Sequence, residues 1–96
     1  MSRWVIAYDI TDPDRLRKVH GYLRQRALHL QYSVFLAEIG DAALGDMLDD
    51  LRVLIDESTD DIRVYRIPEH PWWRVMGRRP LPESIELLGP LTPDRS

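Results

Sequence analysis

The residues most able to do chemistry sit near the start of the chain, where Trp4-Val5-Ile6-Ala7-Tyr8 runs into Asp9-Ile10-Thr11-Asp12. A carboxylate at the end of an apolar strand is costly unless water, a hydrogen bond or a cation satisfies it. Two roles therefore stand open for Asp9. It caps the turn or the helix that follows, or it holds a hard cation. Magnesium takes one or two carboxylates and keeps several waters, so one aspartate per chain makes half a site across a two-fold axis.

Other reactive types are present without a supporting pattern. His20, His29 and His70 have spacings that match no zinc site, and the chain has no cysteine. No G-x-S-x-G elbow, Walker loop or G-x-G-x-x-G stretch occurs. Ser33 has no base placed for it by any local pattern. A basic and aromatic group, Trp72-Trp73-Arg74 followed by Arg78-Arg79, combines phosphate-pairing guanidinium with rings that stack on bases or anchor the tail.

The elements that must position these residues follow from periodicity. Trp4 to Tyr8 is apolar on both faces, as in a central strand paired on both edges. Asp12 is a good N-cap, Pro13 suits the first helical position and Asp14 favours the positive end of the dipole. The spacing predicts a helix to about Arg26 with a stripe of Leu16, Val19, Leu23 and Ala27, and with Arg15, Arg17, Lys18 and Arg24 pointing away from it. Leu30 to Ile39 reads as β, with Tyr32, Val34 and Leu36 on one face and Ser33, Phe35 and Ala37 on the other. One long strand and two short ones broken by a kink both fit. Leu44, Met47, Leu48, Leu51, Leu54 and Ile55 predict a second helix. Ser58 to Asp61 reads as a turn and Ile62 to Ile67 as a strand.

After Pro68 the character changes: the last 29 residues hold six of the seven prolines, which leaves room for little beyond a short strand at Trp72 to Met76. Residues 1–67 thus form one α+β domain of the ferredoxin-like layout, with two helices on one face of an antiparallel sheet. Residues 68–96 form a proline-rich C-terminal extension. A sheet this small, with such a tail, invites pairing across a homodimer.

Ninety-six residues suffice for one core but not for a deep pocket. No apolar run approaches the roughly 20 residues that cross a bilayer. With no signal peptide evident, the expected location is cytoplasmic. The net charge of −3 argues mildly against a general nucleic-acid binder, but it is unevenly spread. Residues 1–29 carry six Lys/Arg against three acids, whereas residues 40–61 carry eight acids against Arg52 alone. A chain so polarised presents a basic face to phosphate despite its total.

Three segments in this order resemble the Cas2 family of CRISPR-associated proteins. The first is the opening strand ending in Tyr8-Asp9-Ile10-Thr11-Asp12. The second is Gln31-Tyr32-Ser33-Val34-Phe35, like the family's Q-Y-S-V-F. The third is Ile62-Arg63-Val64-Tyr65-Arg66-Ile67, like its closing R-I-Y strand. The resemblance covers residues 1–67. It departs at His29, where the family often carries a basic residue, and at Arg26, where a glycine usually closes the first helix.

The resemblance implies a ferredoxin-like homodimer with Asp9 of each chain facing the other across the two-fold axis. It matches Asp9 to the family's metal aspartate, with Mg²⁺ as cofactor, and puts Tyr8, Ser33 and Phe35 beside it. It implies endonuclease activity on single-stranded RNA or double-stranded DNA. It also implies a scaffold that bridges CRISPR integrase subunits and holds protospacer DNA, with Arg15, Arg17, Arg78 and Arg79 expected on the phosphate backbone. The tail resembles extensions that add a strand to the neighbouring subunit and hold the integrase. The reading of another class is a non-catalytic ferredoxin-like interaction or toxin-like module, in which Asp9 is only a cap.

Overall fold

The computed structural model describes residues 1–69. Within them the chain runs β1 (Ser2–Asp9), α1 (Pro13–Arg24), β2 (Leu28–Gln31), β3 (Val34–Ile39), α2 (Asp41–Leu54) and β4 (Asp61–Ile67). The strands form one antiparallel sheet in the order β2-β3-β1-β4. This is the ferredoxin-like arrangement: β1 and β2, joined through α1, are held apart by β3 between them.

Strand β1 is central, as its two apolar faces require. Ile6 and Tyr8 join Val19 and Leu23 of α1, Met47 and Leu51 of α2, and Phe35 and Ala37 of β3 in the core, with Ile62 and Val64 of β4 packed against it. Both helices thus lie on one face of the sheet. By the pleat, Val5, Ala7 and Asp9 point to the other face, together with Val34 and Leu36 of β3 and Tyr65 of β4.

Helix α1 starts where its caps dictate. The Asp12 carboxylate accepts from the Arg15 backbone N–H at 2.9 Å, and Pro13 occupies the first turn. The helix ends at Arg24, two residues short of the expected boundary. Helix α2 buries Leu44, Met47 and Leu51 as its spacing predicts.

The largest difference from expectation lies between the helices. The β run from Leu30 to Ile39 is a hairpin: the chain reverses at Tyr32-Ser33, and Gln31 faces Val34. Val34 and Leu36 do alternate against Phe35 and Ala37, but the alternation assigned to Tyr32 and Ser33 ends at the turn. Tyr32 has φ 41°, the one positive φ at a non-glycine position among the described residues. That conformation costs a bulky residue on the order of 1–3 kcal/mol. The tail strand expected at Trp72 to Met76 lies outside the described residues.

Candidate functional site

One end of the sheet gathers the residues singled out above. Strand β1 ends there with Asp9, the β2–β3 turn carries Tyr32 and Ser33, β4 begins with Asp61, and α1 starts nearby. Pairing fixes the register: Ala7 faces Val34, the Tyr8 N–H donates to the Ser33 carbonyl at 3.1 Å, and Asp9 faces Asp61 across β4.

Asp9 is exposed, on the side of the sheet away from the helices. The cap of α1 is Asp12, and among the described residues the Asp9 carboxylate takes no hydrogen bond or ion pair. The capping alternative therefore has no contact behind it. Asp61, its opposite number, accepts from Arg63 Nε at 2.9 Å. Sequence reading left Asp61 in a turn, and only the β1–β4 pairing brings it opposite Asp9.

Tyr8 and Phe35 share the sheet end with Asp9 but not its face. Both are buried against the helices, with Phe35 fully enclosed and their rings stacked at 6.2 Å. The Tyr8 hydroxyl lies 2.8 Å from His20 Nδ1, and burial pushes its pKa up. His20 and His29 meet edge to face at 5.0 Å, and each also contacts Phe35. Desolvation first, then the neighbouring His29 and Arg24, pushes the His20 pKa down and favours the neutral ring. His29 Nε2 donates to the Tyr32 carbonyl at 2.7 Å, which ties the strained turn to β2. These two histidines tie the turn and β2 to α1.

The basic residues divide. Arg17 is exposed and pairs with Asp14 at 3.1 Å. Arg15, expected to point outward toward phosphate, is instead half-buried and reaches Asp60. Its Nε donates to Asp60 Oδ2 at 2.8 Å and its Nη2 to Oδ1 at 3.3 Å. The Asp60 side chain has no exposed surface, and it also accepts from the Asp56 backbone N–H and the Thr59 hydroxyl. Hydrogen bonding from Arg15 first, and then from Asp56 N–H, holds the Asp60 carboxyl below the usual carboxylate range. Sequence reading took Asp60 for a solvated turn residue. The only available signal was an arginine just after a helix cap and an aspartate just before a strand that pairs with β1. Arg78 and Arg79 lie outside the described residues.

Among the described residues no group of three or more His, Cys, Asp or Glu side chains gathers that could hold a metal ion. The donor chemistry nevertheless suits magnesium, because Asp9 offers a carboxylate that is unpaired among the described residues and the ion keeps most of its water. No helix among the described residues is long and apolar enough to cross a membrane.

The fold defines a small ferredoxin-like protein, with Asp9 and Asp61 side by side on the sheet face that neither helix covers. The profile of the family described as CRISPR associated protein Cas2 matches residues 1–75. The chain is 47% identical over 89 residues to the CRISPR-associated endoribonuclease Cas2 1 of Nitrosomonas europaea, covering 93% of this chain and 85% of the relative. Among solved structures, a hypothetical protein from Thermus thermophilus superposes with a TM-score of 0.76 at 32% identity, over 85% of this chain and 98% of that one. Streptococcus pyogenes Cas2 gives a TM-score of 0.61 at 32% identity, over 66% of this chain and 82% of that one. The chain belongs to the Cas2 family of CRISPR-associated proteins.

Proposed function

We propose that this chain is the dimeric subunit of a spacer-acquisition complex, bridging integrase subunits and holding protospacer DNA, with magnesium-dependent endonuclease activity on single-stranded RNA or double-stranded DNA. The observation that carries the reading is the Asp9 carboxylate, unpaired among the described residues and exposed at the end of a central strand, on the sheet face that neither helix covers.

That face is the natural seam for a second copy. Val5, Ala7, Val34 and Leu36 make its middle apolar, and a two-fold axis through it would bring a second Asp9 toward the first. The outer edge of β4 has no partner strand among the described residues, and a strand from the tail of the other copy would satisfy it.

Asp9 from each chain would hold the ion. Magnesium, when bound, makes a water more acidic and offsets charge on a phosphate. The remaining work falls to the chain itself. Arg17, Arg78 and Arg79 pair with phosphate oxygens and set the register of the backbone. Arg15, with its guanidinium on Asp60, fixes the segments on both sides of Asp9. Tyr8 and Phe35 hold β1 rigid from behind.

The test has two parts. Light scattering at micromolar concentration and physiological salt should give twice the chain mass, and a monomer there would defeat the bridging role. Labelled single-stranded RNA and duplex DNA should be cut in Mg²⁺ and left intact in EDTA. Absence of cutting in every buffer would remove the nuclease and leave the scaffold.

A further inference from the structure

We propose that Arg24, His20 and His29 form a proton-linked phosphate site, taking a phosphodiester of a nucleic-acid backbone where α1 meets the β2 edge of the sheet. This rests on the nucleic-acid part of the function proposed above and adds a site to the arginines named there. Arg17, His20 and Arg24 lie at i, i+3 and i+7 of α1 and so share one flank of the helix. His20 meets His29 of β2 at 5.0 Å, which sets that flank against the edge strand. Arg24 and His29 are exposed and His20 is half-buried. Among the described residues Arg24 has no hydrogen bond or ion pair, and neither histidine pairs with a carboxylate.

His20 is faced by Tyr8 from β1, His29 from β2, Phe35 from β3 and Arg24 on its own helix, none of them an acid. Three groups able to carry positive charge thus stand together without a counter-charge. Desolvation first, then His29 and Arg24, keeps His20 neutral in the free chain. A phosphate seated among them reverses the effect of the two cationic neighbours, so binding draws in a proton. Both histidines take a proton without losing a bond. The Tyr8 hydroxyl donates to a bare His20 Nδ1 and accepts from a protonated one. His29 Nε2 donates to the Tyr32 carbonyl in either state, which leaves Nδ1 to titrate. The other side of the helix layer repels a polyanion, because α2 exposes Asp41, Asp46, Asp49 and Asp50.

The experiment titrates a fluorescein-labelled duplex DNA in EDTA, where binding is read without cleavage, near pH 6 and near pH 8 at several salt concentrations. Wild type should bind about tenfold tighter near pH 6, and the histidine Cε1–H resonances should titrate at higher pH in the complex than in the free chain. His20→Gln and His29→Gln should each shrink the pH dependence. Arg24→Gln should lower the log–log salt slope by about 0.9. Arg26→Gln, an equal loss of charge at a residue held on Tyr22, should leave that slope unchanged. Equal wild-type affinity at the two pH values, or histidine titrations that DNA does not move, would overturn the proposal. So would inorganic phosphate moving those resonances as strongly as DNA at equal phosphate concentration, which would make this a site for the free ion. A wild type that binds DNA while Arg24→Gln keeps its slope removes this site alone. A wild type that binds no DNA at either pH removes the nucleic-acid reading with it.

Discussion

Arg15, at the start of α1, reaches 45 residues along the chain to clasp Asp60, 2.8 Å from guanidinium to carboxylate, and the two segments it joins are those that flank Asp9 on β1 and Asp61 on β4. The carboxylate side chain has no exposed surface, so removing the arginine leaves a buried charge without its counter-ion. Arg15→Ala should lower the thermal midpoint markedly. Arg15→Ala and Asp60→Ala combined should cost well below the sum of the singles, as a double-mutant cycle will read.

The same pair predicts an acid limb. Asp60, and Asp56 through its bonds from Ser58, titrate below the ordinary carboxylate value in the folded chain, so the unfolded chain binds their protons first. Their stabilisation is complete above the unfolded value near pH 4 and is lost as pH falls through the lower folded values. Midpoints measured against pH should drop in that window, and Asp60→Asn should flatten the drop.

His20 predicts a second, milder limb. Its folded pKa lies below 6.5, because of desolvation first and then the neighbouring His29 and Arg24, so protonation favours the unfolded chain. Stability should be full above about pH 6.5 and decline as pH falls through that value toward the lower folded one. His20→Gln should remove this slope and leave the acid limb intact.

Phe35 is fully buried in the core, so Phe35→Ala should cost about 3–5 kcal/mol in chemical denaturation, whatever its effect on nucleic acid. Phe35→Leu should fold and should retain any magnesium dependence, since Asp9 sits on the opposite face.

Most of this architecture is legible in the sequence, and the exceptions have physical reasons. Asp12-Pro13-Asp14 announces α1, and the leucine and methionine spacing announces α2. The hairpin is hidden because its turn carries Tyr32-Ser33 instead of glycine or asparagine, so β alternation reads straight through it. Leu28 and His29, between the expected helix end and the expected strand start at Leu30, show their place in β2 only once β3 pairs with them. Asp9 stands out because it ends an apolar strand. Asp60 does not, because it looks like one more acid in a charged run until Arg15 is seen to enclose it. No local pattern carries the tertiary pairing of Asp9 with Asp61.

If Arg17, Arg78 and Arg79 contact phosphate, each removed contact should reduce the log–log slope of duplex affinity against salt by about 0.9, equally for different sequences. Arg17→Ala and the double variant Arg78→Ala/Arg79→Ala, titrated across several salt concentrations with and without the integrase subunit, read this directly. Unchanged slopes would remove these arginines from the DNA surface.

The central claim concerns Asp9, and a conservative change tests it most directly. Asp9→Asn keeps the size and polarity of an exposed side chain that takes no bond among the described residues, so fold, thermal midpoint and dimer mass should match wild type. Cleavage of labelled single-stranded RNA and duplex DNA in Mg²⁺ should fall to the level seen in EDTA. An Asp9→Asn protein that cuts at the wild-type rate would contradict the assignment.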